Sequence, residues 1–201
     1  MDLKGHEQLL SELRTKYPNA VLDGAVNEES WNKLSNNRIL WILKEVNDYP
    51  GDLRNLLKQF ANDSNPSGVY AHWKNTYGAV VQVSRGIING CAEWGTWADN
   101  IDGIRNVLNE IAVINVNKLG GGSASDPKVL AESAEKFHDV IVKQIELLDP
   151  NIVILGGTKD AISKWLPMDD ASRKWIAAPH PAQRNITHQE YYDLICKEVS
   201  K

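Results

Sequence analysis

The sequence predicts an α/β domain, a three-layer α/β/α sandwich built on a short, mainly parallel four-stranded sheet. Three apolar, β-rich segments support this prediction: 38–44 (RILWILK), 111–116 (IAVINV) and 151–156 (NIVILG). None of them alternates apolar and polar residues, and continuous apolar runs are typical of strands buried on both faces of a parallel sheet. Helical patterns separate the strands, as crossover connections between parallel strands require.

Helical periodicity begins near the start of the chain, where leucines at 9, 10 and 13 predict a helix over 6–17 that ends before Pro18. Between the first and second strands, apolar residues at helical spacing predict three more helices. They cover 52–61, 69–89 and, as a short element, 101–110.

The clearest helix is predicted over 127–148, with Asp126 as its N-cap and Pro127 in its first turn. A helix over 158–165 follows, and then a weaker fourth strand over 174–178 (KWIAA) that stops at the next prolines. Thr187 and Glu190 form a capping-box pattern, which predicts a last helix over 187–199.

Length and charge restrict the class of protein. The 201 residues suit one domain over 1–201, without a repeat or a linker. The net charge of −4 counts against duplex DNA binding by bulk electrostatics, although a local basic groove is compatible with it.

Cys91 and Cys196 lack metal-ligand or CxxC spacing and are predicted to be free thiols. Without a signal peptide or a membrane-length apolar run, we expect a cytoplasmic protein with no membrane partner.

Polar residues follow the predicted strands at their carboxyl ends, the edge at which open parallel sheets bind ligands. After the first strand, Glu45 is the first candidate for a general base or for a group that stabilises a developing cation, with Asn47 and Asp48 as alternatives. The same segment could also be an ordinary polar turn. One such segment follows each of the four strands, and we expect all four to share this edge: 44–48, 115–118, 156–158 and 180–184.

The second and third of these segments suggest ligand contacts. Asn115 could read the edge of a flat polar ligand, and Lys118 with the glycines after it could approach a phosphate. The same residues would also fit a purely structural role, in which Asn115 is a buried asparagine that caps a loop and the glycines form a mobile loop. Gly156 opens a turn whose amides could hold an anion, or it could serve only the tight turn, with Thr158 as a helix cap.

The fourth segment, APHPAQR at 178–184, is the sharpest feature of the sequence. Prolines on both sides of His180 hold its backbone, and a rigidly held imidazole needs little reorganisation when charge develops beside it. Gln183 and Arg184 could contact a phosphate or a base. We therefore favour a functional interpretation of His180 over a purely structural one.

The order and spacing of these segments resemble the uracil-DNA glycosylase superfamily, over roughly 38 to 184. The matching pieces are ILWILKEVN at 39–47, INVNK at 114–118, QIELLDPNIVILGGT at 144–158 and AAPHPAQ at 177–183. The chain departs from the family pattern at Lys44, Asn47 and Ala182, and it lacks the cysteines of an iron–sulfur cluster.

The resemblance implies roles for the candidate residues. Glu45 would help water attack or support the sugar cation, Asn115 would read the pyrimidine edge, and His180 would stabilise the departing base as an anion. The loop 181–184 would press on the DNA backbone. A ring from Tyr49, Tyr70 or Trp73 would have to stack on the base.

The sequence therefore predicts a hydrolase of the N-glycosidic bond of a damaged or deaminated base, with DNA or a nucleotide as partner. This chemistry requires no metal or organic cofactor. Two alternatives stay open: a non-catalytic module that binds a nucleotide or a single strand, and an enzyme that acts on a free nucleoside or sugar. The sequence does not set the oligomeric state.

Overall fold

The computed structural model describes residues 1–46, 49, 51–62, 69–121 and 126–201, and for residues 69–75 it describes the backbone only. In this part of the chain the fold is α/β with a mixed sheet. The strands are β1 (Gly24–Ala25), β2 (Ile39–Leu43), β3 (Ile111–Asn115), β4 (Ile152–Gly156) and β5 (Lys174–Ala178).

The sheet has the order β1-β3-β2-β4-β5. β2, β3, β4 and β5 are parallel, which confirms the predicted strands to within one or two residues at their ends. β1 was not predicted; it is a two-residue edge strand that pairs antiparallel with β3. Leu43 pairs with Asn115, and Gly156 pairs with Ala178, so the carboxyl ends of the parallel strands meet at one edge.

The continuous apolar runs reflect burial on both faces of the sheet. Along β2, Ile39, Trp41 and Leu43 pack into one hydrophobic cluster. Leu40 and Ile42, which point the opposite way, pack into a second cluster. Because side chains alternate between faces along a strand, both sets must be apolar when helices cover both sides.

The helices are α1 (Leu3–Lys16), α2 (Glu28–Lys33), α3 (Leu53–Asn62), α4 (Val69–Ile88), α5 (Thr96–Asp99), α6 (Ile101–Ile104), α7 (Pro127–Leu148), α8 (Lys159–Ile162) and α9 (His188–Val199). Short 3-10 helices cover Arg105–Glu110 and Ser163–Trp165. The predicted helices over 101–110 and 158–165 are thus each an α-helical turn followed by a 3-10 turn. α2 and α5 were not predicted, because they are too short for a periodic pattern.

The predicted caps of the two C-terminal long helices are confirmed. Asp126 accepts a hydrogen bond from the amide of Lys128 at 2.8 Å ahead of α7. At the start of α9, Thr187 and Glu190 make both reciprocal bonds of the capping box. Such caps satisfy amides that have no partner inside the helix. Thr158 occupies the N-cap position of α8, as predicted, but its side chain makes no capping bond; its hydroxyl donates to the carbonyl of Ile42 at 3.0 Å.

Both cysteines are free thiols, as predicted; Cys196 is buried and Cys91 is half-buried. Among the described residues, no helix combines the length and the apolar character needed to span a bilayer.

Candidate functional site

The carboxyl edge of the sheet places the loop after β2 against the loop after β3. Glu45 is half-buried, and its carboxylate oxygen Oε2 accepts a hydrogen bond from Nδ2 of Asn117 at 3.3 Å. The same amide donates to the carbonyl of Gly120 at 2.7 Å. A Cβ atom at Gly121 would lie 2.2 Å from Oε2 of Glu45, so the backbone passes close to the carboxylate. Glu45 is therefore held in a defined position.

His180 follows β5 at the same edge and lies over the turn after β4. A Cβ atom at Gly157 would lie 3.0 Å from both Cβ and the backbone nitrogen of His180, and Gly157 has φ +73°. Both facts favour glycine at this position. Lys44 and Glu45 lie within electrostatic range of the imidazole. The structure thus brings the predicted residues Glu45 and His180 to one edge.

The imidazole of His180 is held in its neutral form with one tautomer. Burial lowers the pKa of His180 to about 4; the charge of Lys44 lowers it further, and the charge of Glu45 opposes this. Nδ1 accepts a hydrogen bond from the amide of Ala182 at 3.2 Å. Because a neutral imidazole carries one N–H, this bond assigns the proton to Nε2. His180 therefore presents an Nε2–H donor at neutral pH.

The rest of the His180 loop is fixed by its own side chains. Oε1 of Gln183 accepts from the amides of Asn185 at 2.6 Å and Ile186 at 3.0 Å, and Nε2 of Gln183 donates to the carbonyl of Ile186 at 3.0 Å. These bonds use the amide of Gln183 to fold the loop, and its predicted ligand contact stays a prediction. Arg184 is exposed, and its predicted role as a ligand contact stays a prediction.

A buried polar network lies behind the end of β3. Lys118 is 0% exposed, and its Nζ donates to Oδ1 of Asp23 at 2.8 Å and to Oε1 of Gln144 at 2.6 Å. Burial lowers the pKa of Lys118, and the carboxylate of Asp23 opposes this. Lys118 was predicted to bind phosphate. This prediction is wrong, because the ammonium group faces the interior and is already paired.

Asn115 belongs to the same network and is 1% exposed. Its backbone amide donates to Oδ2 of Asp23 at 2.8 Å, and its side-chain Nδ2 donates to the same oxygen at 3.3 Å. Its Oδ1 is buried and has no hydrogen-bond partner in the part of the chain that the structure describes. Asn115 therefore has one buried acceptor without a partner, and its predicted role in reading a ligand stays a prediction.

The other predicted residues have different outcomes. Gly156 is buried, and a Cβ there would lie 2.7 Å from Cδ2 of Leu43 and 3.2 Å from Cδ of Pro181. The next amide, of Gly157, donates to backbone carbonyls of Leu155 and Ala178. The predicted anion site at this turn is therefore not supported; Gly156 serves close packing. Asn47 and Asp48 lie outside the described residues.

The predicted stacking ring is not identified. Tyr49 is half-buried, packs against the cluster that contains Trp41, and donates its hydroxyl to the carbonyl of Asp52 at 3.3 Å. The side chains of Tyr70 and Trp73 lie outside those that the structure describes.

A cavity of about 620 Å³ lies at the opposite edge, by the amino ends of β4 and β5. Its lining includes Arg173 and Lys174. The guanidinium of Arg173 pairs with Asp149 and Asp170, and Nζ of Lys174 donates to the carbonyl of Val199. Because these cations are already partnered, the carboxyl edge offers the better combination of reactive groups.

The buried network also includes His6, which gives a prediction about acid stability. Burial lowers the pKa of His6 to about 4, against an ordinary value of 6.5, and its Nε2 contacts Nε2 of Gln144 at 3.2 Å. The unfolded chain therefore binds more protons than the folded one as the pH falls from 6.5 to about 4. Over that range we expect His6 to reduce the free energy of unfolding by about 3 kcal/mol, with no loss above it.

Urea denaturation at several pH values would measure this loss. We expect His6→Gln to show a shallower decrease with falling pH than the wild type. His138→Gln, which changes a histidine whose side chain is 30% exposed, serves as the control and should follow the wild type. Equal slopes for His6→Gln and the wild type would contradict the assignment.

Comparisons with known proteins give no match: no protein-family model, curated protein or solved structure matches this chain. Among the described residues, no group of three or more histidine, cysteine, aspartate or glutamate side chains is arranged to hold a metal ion.

Proposed function

We propose that this protein hydrolyses the N-glycosidic bond of a damaged or deaminated base in nucleic acid, in the manner of the uracil-DNA glycosylase superfamily that its sequence resembles. One observation carries the proposal: a neutral imidazole with a fixed Nε2–H donor at the sheet edge that also holds the carboxylate of Glu45. The pair supplies the two kinds of group that this bond cleavage needs.

The chemistry follows from where charge develops. As the bond between C1′ and the base nitrogen breaks, its electron pair leaves with the base, and the sugar becomes a cation. A donor that is fixed before the reaction stabilises the departing anion without reorganisation, and a neutral imidazole can donate without first being protonated. His180 takes this role in the proposal.

Glu45 acts on the sugar side of the broken bond. Its carboxylate stabilises the cation and orients water, whose oxygen forms the new bond to C1′ while its proton passes to the carboxylate. The hydrogen bond from Asn117 keeps the carboxylate in place for this role. Arg184, which is exposed after the His180 loop, is the remaining predicted cation for the nucleic-acid backbone.

The test is to incubate the purified protein with oligonucleotides that contain uracil, xanthine or mismatched bases, and to detect abasic sites by alkaline cleavage. We expect abasic sites with at least one substrate. A Glu45→Gln, His180→Leu double variant keeps similar side-chain volumes and should produce none. No abasic site on any substrate, or equal yields from the double variant, would contradict the proposal.

The same samples separate the proposal from its non-catalytic alternative. Binding of the oligonucleotides by the wild type and by the double variant, without release of a base by either, would identify a nucleotide or single-strand binding module instead.

A further inference from the structure

We infer that Cys91 and Cys196 form a redox-active thiol pair, which a peroxide oxidises to a reversible disulfide that ties α4 to α9. Both cysteines are free thiols, and they lie far apart in the sequence. The inference assigns a modification site to residues that the proposed mechanism does not use, and it does not rest on the proposed function.

The helices α4 and α9 approach each other closely beside this pair. A Cβ atom at Gly86 in α4 would lie 2.0 Å from Cε2 of Tyr192 in α9, so the tyrosine ring lies directly on the α4 backbone. Tyr192 precedes Cys196 by one helical turn, and residues at this spacing share a face of the helix. The face of α9 that packs on α4 therefore also carries the thiol of Cys196.

The segment after α4 brings Cys91 to the same face. The amide of Cys91 donates to the carbonyl of Gly86 at 2.7 Å. The carbonyl of the next residue, Ala92, accepts a hydrogen bond from the hydroxyl of Tyr192. The thiols of Cys91 and Cys196 are joined by a side-chain hydrogen bond. Backbone and side-chain contacts thus place the two sulfur atoms together.

The backbone of Cys91 has a conformation that residues with a side chain rarely adopt. Its φ is +57°, in the left-handed region, and that of the preceding Gly90 is +71°. A left-handed conformation costs energy for any residue except glycine, and it persists where the surrounding contacts impose it. The turn alone would favour glycine at position 91, whereas only a cysteine supplies the second thiol.

The two thiols differ in their access to solvent. Cys91 is half-buried, and Cys196 is 7% exposed. Burial raises the pKa of the Cys196 thiol to about 12, and the neighbouring thiol of Cys91 adds to this effect. Because oxidation follows exposure and thiolate character, Cys91 is the thiol that meets an oxidant first and Cys196 is the resolving thiol.

The oxidation balances with a peroxide as the oxidant. The sulfur of Cys91 attacks a peroxide oxygen, the O–O bond breaks, and a sulfenic acid and water result. The sulfur of Cys196 then attacks the sulfenic sulfur; the S–S bond forms, the S–O bond breaks, and the hydroxide leaves as water with the proton of Cys196. The thiols lose two electrons, which reduce the peroxide to water, and a dithiol reverses the oxidation.

The disulfide would act on a helix that also supports the His180 loop. Tyr191 lies in α9, and its hydroxyl donates to the carbonyl of Pro179 at 2.9 Å. Oxidation would therefore attach to α4 the helix that holds the residue before His180.

Peptide mapping after oxidation tests the inference. The folded protein is treated with hydrogen peroxide, its remaining thiols are alkylated in denaturant, and a non-reducing digest is analysed by mass spectrometry. We expect a cross-link between Cys91 and Cys196 within one chain, with loss of both alkylatable thiols and their return after dithiothreitol. In Cys196→Ser, oxidation of Cys91 should stop at a sulfenic acid that dimedone traps. Oxidation of the wild type without this cross-link, or with cross-links only between chains, would overturn the inference.

A second measurement on the wild type shows whether the fold itself brings the thiols together. Glutathione redox buffers would give the equilibrium constant for the cross-link in the folded protein and in concentrated urea. We expect a constant at least about 10-fold larger in the folded protein, because the unfolded chain must first close a long loop. A ratio of about one or less would overturn the inference, because the fold would then not favour the disulfide.

Discussion

Replacing Lys118 with methionine is expected to lower the free energy of unfolding by about 3–5 kcal/mol, because the change leaves the buried carboxylate of Asp23 without its counter-charge. Both side chains are fully buried, and the ammonium also bonds to Gln144. Urea denaturation followed by tryptophan fluorescence would measure the loss. Most single substitutions cost less than this, so the effect would be diagnostic.

A surface ion pair provides the matched control. Lys33 pairs with Glu29 at 2.7 Å, but their side chains are 72% and 80% exposed. Because water screens such pairs, Lys33→Met should change the free energy of unfolding by less than about 0.5 kcal/mol. A double variant, Lys118→Met with Asp23→Asn, should recover part of the loss, because the unpaired charge is gone. Similar losses from Lys118→Met and Lys33→Met would contradict the buried pairing.

The substitution His180→Leu is expected to reduce the single-turnover rate of base release by about 10²–10³-fold, the usual cost of removing one donor to a developing anion. Leucine fills a similar volume at this half-buried position but has no N–H group to donate. Because the donor acts mainly when the base becomes an anion, binding of the uncleaved strand should change little.

The control for this change is His138→Gln in α7, where the imidazole stacks on Trp165 and has no part in the proposed site. We expect it to alter the rate by less than about 2-fold, as its ring contacts neither candidate group. A large loss of oligonucleotide binding in His180→Leu, with the rate of the bound complex unchanged, would show that His180 holds the substrate rather than stabilising the leaving base.

The central strands could be predicted from sequence because helices bury both of their faces, and this burial requires the continuous apolar runs of β2, β3 and β4. The edge strand β1 could not be predicted, because two residues carry no periodicity and their pairing with β3 is set by tertiary contacts. Gly24 in this strand has φ +142° and packs on the ring of His6, which only the folded structure reveals.

The positions of Glu45 and His180 could also be predicted, because the carboxyl ends of parallel strands share one edge. Whether a side chain at this edge faces the site or the interior could not be predicted. Lys118 follows β3, a position typical of ligand-binding residues, but its ammonium group faces the interior. One pattern could have indicated this: Gln144 interrupts the buried face of α7 between Ile141 and Ile145, and a buried amide needs polar partners.

Asp23 was missed for a different reason. It lies in the loop before β1, outside any motif, and reaches Asn115 and Lys118 only because β1 pairs with β3. The part of Gln183 in its own loop was also missed: its amide oxygen accepts from the amides of Asn185 and Ile186, a contact that the sequence does not indicate. Local sequence identifies which residues have reactive groups, but tertiary contacts decide which of these groups remain free.

The pH dependence of base release in a single turnover tests the central claim most directly. Protonation of His180 would place a proton on Nδ1 and break the hydrogen bond from the amide of Ala182 that fixes the ring. Since the pKa of His180 is lowered from 6.5 to about 4, we expect the rate constant to stay level from about pH 8 down through 6.5 and to fall only as the pH approaches about 4. A decrease centred near 6.5 would show an imidazole that titrates like one in water, and it would contradict the neutral donor on which the proposed mechanism depends.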